Sequence, residues 1–381
     1  MAVYLDNNAT TALDERVLEA MLPYMGQVTG NPSSVHRFGR LQRDAIEQAR
    51  ESVARLAGAR AEQVIFTSGG TESNNLLING VCQHNRGSRV AVGATEHMSL
   101  LEPAQHLGAM VDIIEVDEVG QVSSFALDRA VGERTLLISV MTANNETGVI
   151  QNMAPLVDFA VENNCFFHTD ATQAAGKIAL DFAASGVHAM TLSAHKIYGP
   201  VGVGALIIDK RLPIRKLQYG GAQEKNLRAG TENVPAIVGF GKAAELELAE
   251  MQGNAAHVHR LRDALEKGLK ALDGVSIFAE SAERLPNTVQ FGVHGFDGET
   301  LLMQLDRKAI AVSSGSACTS GKTEPSHVLQ AMKVPDALAN SAIRVSFGKN
   351  NTMSDVDVLL TALTDIIAMN QQSAVMMAAT V

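Results

Sequence analysis

Between about residue 40 and residue 250, short apolar runs alternate with stretches whose apolar residues recur every three or four positions. Residues 41–56 show the second pattern, which predicts an amphipathic helix. The apolar runs, which predict strands, lie at 64–66, 90–92, 136–140, 165–167, 190–192 and 205–208. Alternating strands and helices predict an α/β fold in which helices cover both faces of a mostly parallel sheet. The last two runs are too close for a helical crossover, so we expect an antiparallel hairpin there.

After residue 250 the pattern changes. A charged amphipathic helix is predicted over 257–272, and strands are predicted over 275–278, 287–291 and 343–347. These elements predict a smaller α+β domain. We therefore expect a large domain over 16–250 and a small domain made of 1–15 and 251–381.

Composition excludes several classes of protein. With 31 basic and 41 acidic residues the net charge is −10, which argues against a nucleic-acid partner. The cysteines are Cys82, Cys165 and Cys318, and without a CxxC pair they predict neither a disulfide framework nor a resident metal site. The first residues lack a signal or transit pattern, and the longest uncharged run, 366–381, is short and polar for a membrane span. We expect a cytoplasmic protein with reduced thiols.

Polar clusters follow five successive predicted strands, at 67–75, 93–97, 141–148, 168–173 and 193–196. Ligands of open α/β sheets bind beyond the carboxyl ends of the strands. Gly70 and Thr71 would open a helix there, with free N–H groups facing an anion. A glycine-rich turn with a hydroxyl N-cap has the same sequence pattern, and both interpretations stay open at this point.

Lys196 stands at one of these strand ends, where a desolvated lysine can form a Schiff base. Asp170 lies at the neighbouring strand end and is suited to pairing with a pyridinium nitrogen. His97 offers a flat ring that can stack on a cofactor. Each residue taken alone is more often a cap or a surface group, and only the combination favours a cofactor site.

Nine blocks of the sequence occur in the order found in one enzyme family. They are 6–11 (DNNATT), 31–34 (NPSS), 67–74 (TSGGTESN), 96–97 (EH), 143–148 (ANNETG), 168–173 (HTDATQ), 193–200 (SAHKIYGP), 228–233 (RAGTEN) and 313–319 (SSGSACT). With them the chain resembles cysteine desulfurases of the NifS/IscS type. These are enzymes of the class-V aminotransferase group that depend on pyridoxal 5′-phosphate (PLP). The resemblance implies the PLP-dependent transferase fold of type I, with a large, mostly parallel sheet domain and a smaller α+β domain.

The resemblance also implies roles for individual residues. Lys196 would hold PLP covalently and take the Cα proton of the substrate, while Asp170 would pair with the pyridine nitrogen. His97 would stack on the ring and take part in proton transfer. Arg344 would bind the substrate carboxylate, a task that suits the guanidinium fork. Asn145 would contact both the cofactor and the substrate.

Further residues are implied to complete the cofactor site. The whole implied PLP-binding set is Gly70, Thr71, His97, Asn145, Asp170, Gln173, Ser193, His195, Lys196 and Thr231. Gln173 would lie near the phenolic oxygen of PLP. Thr231 would complete the phosphate site of the other subunit, which implies a homodimer.

Cys318 decides which reaction is implied. Its thiolate would take sulfur from L-cysteine as a persulfide, release L-alanine, and donate the sulfur for iron–sulfur cluster assembly. Any iron–sulfur ligation by Cys318 would be transient and shared with a scaffold protein, because one cysteine does not make a resident cluster site. Cys165 and Cys82 are not expected to be catalytic.

Several alternatives remain open at this point. A related class-V enzyme, such as a selenocysteine lyase or an aminotransferase, would share most of these motifs. A catalytically silent PLP-binding protein would also share most of these motifs, although the presence of Lys196, Arg344 and Cys318 argues against it. The sulfur acceptor would be an iron–sulfur scaffold of the housekeeping or the nitrogen-fixation type, or another acceptor protein, including one that serves tRNA thiolation. Residues 371–381 lack the aromatic tail with which housekeeping members dock to a scaffold.

Overall fold

The computed structural model describes residues 2–85, 87–107, 110–314 and 325–378. The strands in these ranges are β1 Val3–Tyr4, β2 Val64–Thr67, β3 Arg89–Gly93, β4 Val111–Ile114, β5 Thr135–Ser139, β6 Phe166–Asp170, β7 Ala189–Ser193, β8 Gly204–Ile208, β9 Val275–Ile277, β10 Thr288–Val293, β11 Ile310–Ala311, β12 Ser313–Ser314 and β13 Ile343–Ser346. The helices are α1 Glu15–Leu22, α2 Arg37–Leu56, α3 Gly70–His84, α4 Met98–His106, α5 Ser124–Ala130, α6 Met153–Glu162, α7 Phe182–Ser185, α8 Val234–Leu269, α9 Gly298–Arg307, α10 His327–Ala331, α11 Asp336–Ala339 and α12 Met353–Ala378.

The central sheet has seven strands in the order β2-β8-β7-β6-β5-β3-β4. Only β8 runs against the others, and it pairs antiparallel with both β2 and β7. The predicted hairpin is confirmed, with Leu192 opposite Ala205. The sequence pattern missed β4 because this strand is only half-buried at the sheet edge, where Asp112 is paired with Arg89. The six strands that the sequence predicted in this region are all present in the structure.

Both faces of the sheet are covered, as the near-continuous apolar runs predict. Phe66 and Phe167 belong to one hydrophobic core, together with residues of α2 and α8. Ile65 and Leu137 belong to a second core on the other face, which includes residues of α3 and α4. Successive side chains of a strand point to opposite faces, so each strand contributes to both cores. The predicted α/β architecture is confirmed.

A second sheet, in the order β12-β13-β10-β9, is antiparallel throughout. Its apolar residues pack with α9, α12 and the second half of α8 in a third core. The helix predicted over 257–272 is the end of α8, which begins much earlier, at Val234, where Asn233 caps it and Pro235 occupies its first turn. This helix passes through residue 250, and the domain division predicted there stays a prediction.

The N-terminal segment connects the two sheets. β1 pairs with β11, and Asp6 forms a bridge with Ser346 beside β13. The chain then crosses to the central sheet, where the Thr11 N–H donates to the His195 carbonyl. Residues 6–11 therefore lie between the carboxyl ends of the central strands and the antiparallel sheet. None of the described helices has the length and apolar content needed to cross a membrane.

Candidate active site

A cavity of about 390 Å³ lies at the carboxyl ends of the central strands. It is lined by Gly70, Thr71, His97, Asn145, Asp170, Gln173, Ser193, His195, Lys196 and Arg344, all residues that the sequence analysis singled out. The polar ends of five central strands thus meet Arg344, which lies on β13 of the second sheet. Thr231 instead lines a separate surface cavity with Met25 and Gln42. Cys318 lies outside the described residues.

One end of the cavity is formed by the start of α3. Gly70 is the first residue of this helix, and both Gly70 and Thr71 line the cavity. The first N–H groups of a helix lack partners within the helix and attract anions. Ser193 ends β7 beside them. The hydroxyl oxygen of Thr172 also belongs to this wall, and it is buried without a hydrogen-bond partner among the described residues.

His195 contributes a neutral imidazole to this wall. Its Nδ1 lies 3.2 Å from Oγ1 of Thr10. Burial, and then the nearby charges of Lys196 and Lys177, lower the pKa of His195 to about 4. At neutral pH the ring is uncharged, so it offers a hydrogen bond rather than a full positive charge.

Asp170 is held in place at the end of β6. Its Oδ2 accepts a hydrogen bond from Nδ2 of Asn74 at 2.8 Å, and its Oδ1 accepts the Thr172 N–H at 2.9 Å. Glu96 is buried nearby, and burial followed by the negative charge of Asp170 raises the pKa of Glu96 well above its usual value. Asn74 lies on α3 and is completely buried. Asn74 ends the motif at 67–74, but its sequence pattern predicts no role for it.

His97 caps α4 and is connected to Asp170 through two further side chains. Its Nδ1 accepts the Ser99 N–H at 3.1 Å and lies 2.8 Å from the Ser99 hydroxyl oxygen. That oxygen accepts a hydrogen bond from Nδ2 of Asn74 at 2.9 Å, so the Ser99 proton points to the imidazole. Burial lowers the pKa of His97, which is therefore neutral with its proton on Nε2.

Lys196 ends a single 3-10 turn, Ala194–Lys196, that follows β7. Its Nζ donates to the carbonyl oxygens of Asn8 and Ala9, both at 2.6 Å. Gln173 also donates to the Asn8 carbonyl, from Nε2 at 2.9 Å. The N-terminal segment therefore positions both side chains from the opposite wall of the cavity.

Arg344 reaches the cavity from β13. One terminal nitrogen donates to Oδ1 of Asp6 at 2.6 Å, and the other donates to the carbonyl oxygen of Asn145 at 3.1 Å. Its Nε is buried and has no hydrogen-bond partner among the described residues. The guanidinium is thus fixed by two contacts and keeps capacity for another acceptor.

The described residues on either side of 315–324 lie next to the same cavity. Ser314 lines it, and Ser313 is paired with Arg344 in the antiparallel sheet. On the other side, the Ser326 hydroxyl donates to Oε2 of Glu146 at 2.6 Å. Glu146 itself lines the cavity, so both flanks are attached to its walls.

The two cysteines within the described ranges are buried in the large cores. Burial raises the pKa of the Cys82 thiol to about 11 and also raises the pKa of Cys165. The Cys165 thiol is near the Thr135 carbonyl oxygen, at 3.2 Å. Neither of these two cysteines lines the cavity.

The chain is similar to known proteins over most of its length. Residues 3–359 match the family model described as "Aminotransferase class-V". The chain is 44% identical over 371 residues to "Cysteine desulfurase IscS" of Dictyoglomus turgidum. The aligned region covers 96% of this chain and 94% of that protein. A protein of the same name from Methanosarcina thermophila is 43% identical over 371 residues, with coverages of 96% and 92%.

A solved structure called "NIFS-LIKE PROTEIN" superposes with a TM-score of 0.91 at 38% identity, covering 97% of this chain and all of that one (100%). The resemblance inferred from the nine sequence blocks is therefore confirmed, and so is the type I fold. The chain belongs to the class-V aminotransferase family of PLP-dependent enzymes and, within it, to the cysteine desulfurases of the NifS/IscS type.

Proposed function

We propose that this protein removes sulfur from L-cysteine, with PLP held in the 390 Å³ cavity and Cys318 as the sulfur acceptor. One observation carries the proposal. Lys196, Asp170 and Arg344 come from separate parts of the fold and line the same cavity. A lysine, a buried carboxylate and a guanidinium are the groups needed to hold PLP, support its ring nitrogen and bind an amino-acid carboxylate.

The cavity walls fit PLP. The start of α3 at Gly70 and Thr71, with Ser193 and neutral His195, offers hydrogen-bond donors to a phosphate. The Thr172 hydroxyl, which has no hydrogen-bond partner within the described ranges, adds one more. When bound, PLP supplies an electron sink for bonds at the substrate Cα.

The substrate would be oriented by Arg344. Asp6 and the Asn145 carbonyl fix its guanidinium, and its Nε, which no group in the described part of the chain contacts by a hydrogen bond, marks remaining hydrogen-bonding capacity. A carboxylate bound there would place the amino group and Cα of cysteine in the cavity beside Lys196. The Lys196 amine would hold PLP before the substrate binds and, once the substrate has displaced it, would accept the Cα proton, a task that requires it to be uncharged.

His97 would stack on the ring and assist proton movement. The hydrogen bond from Ser99 to Nδ1 fixes the tautomer, so the proton on Nε2 is the one available for donation. Asn74 supports both Ser99 and Asp170, so one amide would orient the groups on two sides of the cofactor.

Sulfur would pass to Cys318. In the net reaction the Cβ–S bond of L-cysteine breaks, an S–S bond forms on Cys318, and the carbon skeleton gains a proton and leaves as L-alanine. Cys82 and Cys165 are poor candidates, because burial raises the pKa of each thiol. The Cys318 persulfide would then donate sulfur to an iron–sulfur scaffold or another acceptor protein, with any iron ligation by Cys318 transient.

The protein would act as a homodimer. Thr231 lines a surface cavity beside Met25, and the side chains of Met25, Val35 and Phe38 are 63%, 88% and 59% exposed. Large apolar side chains exposed near one another are typical of an interface. A second subunit covering them would bring each Thr231 towards the phosphate site of its partner.

The test uses wild type, Cys318→Ala and, as a matched control, Cys82→Ala, each incubated with L-cysteine and a thiol reductant. We expect wild type and Cys82→Ala to form alanine and sulfide in equal amounts. Cys318→Ala should keep the visible PLP band and lose turnover. Normal turnover by Cys318→Ala would contradict the sulfur-acceptor role, and absence of a PLP band in wild type would contradict the cofactor assignment.

A further inference from the structure

The segment 223–231, which ends at Thr231, begins with a strained turn. Glu224, Lys225 and Asn226 all have positive φ angles, of 43°, 57° and 63°. Residues other than glycine rarely adopt this left-handed conformation, and three of them in succession raise the energy of the backbone. Such a turn persists only where surrounding contacts hold it. None of its three residues has a role in the chemistry proposed above.

Glu224 supplies contacts that hold the turn. Its side chain is 2% exposed and pairs with Arg50 of α2, whose side chain is 4% exposed. The two terminal nitrogens of Arg50 donate to the two carboxylate oxygens, each at 2.7 Å. Oε2 also accepts the Phe66 N–H of β2 at 2.7 Å. A bidentate guanidinium and a backbone N–H together fix the orientation of the carboxylate, so Glu224 attaches the turn to the central sheet.

Gln223 connects the fixed turn to Thr231. Oε1 of Gln223 accepts the Gly230 N–H at 3.1 Å. The residue before Glu224 thus holds the residue before Thr231. Thr231 itself is exposed and lines the surface cavity beside Met25. Contacts within one subunit therefore position the backbone next to a hydroxyl group that a second subunit can reach.

A second attachment lies in the middle of the segment. Nε of Arg228 donates to Oε1 of Glu72, in the first turn of α3, at 2.9 Å. These two side chains are 24% and 27% exposed, so water screens their attraction more than that of the buried Arg50–Glu224 pair. We therefore expect the buried pair to fix the segment more firmly.

We propose that Glu224, held by Arg50, is a positioning residue for Thr231, because it presents the Thr231 hydroxyl to the phosphate site of the partner subunit. This inference rests on the proposed homodimer and on the proposed role of Thr231 in it. Stability alone is a weak reason for a buried ion pair, since apolar side chains of similar volume often stabilise a core as well. A hydroxyl already held in its binding position loses less entropy when the phosphate binds.

The test uses hybrid dimers in which one subunit carries Lys196→Ala. Only the other subunit can then form the visible band of PLP held by Lys196, so a PLP titration of the apo hybrid reports one site. Glu224→Gln in the Lys196→Ala subunit should weaken PLP binding at that site roughly tenfold, the effect of losing one hydrogen bond to a charged group. In the subunit that keeps Lys196, the same substitution should leave the affinity unchanged. A merely structural role would act within one subunit, because β2 leads into the α3 wall of its own cavity.

Thr231→Ala is the reference variant and should show the same dependence on the subunit that carries it. Glu224→Gln should add little to Thr231→Ala in the same subunit, since both changes remove one contact. Glu47→Gln is the matched control. Glu47 also pairs with Arg50, at 3.2 Å, but it lies on α2 and its side chain is 49% exposed. Its loss should leave the PLP affinity unchanged in either subunit.

Gln223→Leu is a second variant for the case in which Glu224→Gln does not fold. It removes the hydrogen bond to the Gly230 N–H without leaving a buried charge unpaired, and it should weaken PLP binding only from the Lys196→Ala subunit. Unchanged affinity in both hybrids would overturn the inference. An equal loss in both hybrids would overturn it too, and so would a loss confined to the subunit that keeps Lys196.

The reference variant separates this inference from the proposed function. If Thr231→Ala weakens PLP binding and Glu224→Gln does not, only this inference is refuted. If Thr231→Ala has no effect, the proposed role of Thr231 in the homodimer is refuted together with this inference. A missing PLP band in wild type would refute the proposed function itself.

Discussion

Asn74 offers a strong test of how the site is held together. Its Nδ2 donates to Oδ2 of Asp170 at 2.8 Å and to the Ser99 hydroxyl at 2.9 Å, and the residue is fully buried. Asn74→Ala would remove one of the two hydrogen bonds described above for the Asp170 carboxylate. A hydrogen bond to a charged group contributes about 1.5–3 kcal/mol. Because about 1.4 kcal/mol is a factor of ten, we expect PLP to bind roughly ten- to a hundredfold more weakly.

The assay is a titration of the apoenzyme with PLP, followed by absorbance, with Asn79→Ala as the control on the same helix. Asn79 donates to the Asn75 carbonyl one turn away and does not line the cavity, so its loss should leave PLP affinity unchanged. The effect of Asn74→Ala should shrink in an Asp170→Asn background, because that variant lacks the charge that the amide stabilises. Wild-type affinity in a folded Asn74→Ala protein would refute the reasoning.

Three further predictions concern substrate binding, thiol reactivity and pH. Arg344→Lys should raise KM for L-cysteine by roughly tenfold or more in steady-state assays, since an ammonium cannot replace the guanidinium fork; an unchanged KM would argue against the carboxylate role. Alkylation of the folded protein at pH 8 should modify Cys318 and spare Cys82 and Cys165, whose thiol pKa values burial raises, and mass spectrometry in urea should then show all three modified. Burial lowers the pKa of His168 from 6.5 to about 4. The unfolded chain therefore binds more protons in that window, and the free energy of unfolding should fall as pH is lowered from 6.5 towards 4. Denaturant titrations of His168→Gln should show a shallower fall.

The sequence predicted those parts of the site that follow from local pattern. Polar residues directly after buried strands must meet at one edge of a parallel sheet, which is why Asp170 and Lys196 were expected to lie together. The apolar pattern did not predict β4, because a half-exposed edge strand has no clear apolar run. Asn74 was missed for a different reason. Its importance depends on which distant side chains face it, and helical periodicity carries no such information.

The N-terminal segment has a consequence for how the protein becomes functional. The Asp6 carboxylate accepts a hydrogen bond from Arg344, which lies 338 positions away in the chain. The Asn8 carbonyl accepts a hydrogen bond from Lys196, which lies 188 positions away. Contacts between such distant residues form late in folding, because the entropy cost of closing a long loop comes before the stabilisation that the contacts provide. During synthesis the central sheet can assemble while β13 is still untranslated. The cavity would thus gain its substrate-binding wall only after nearly the whole chain has been made.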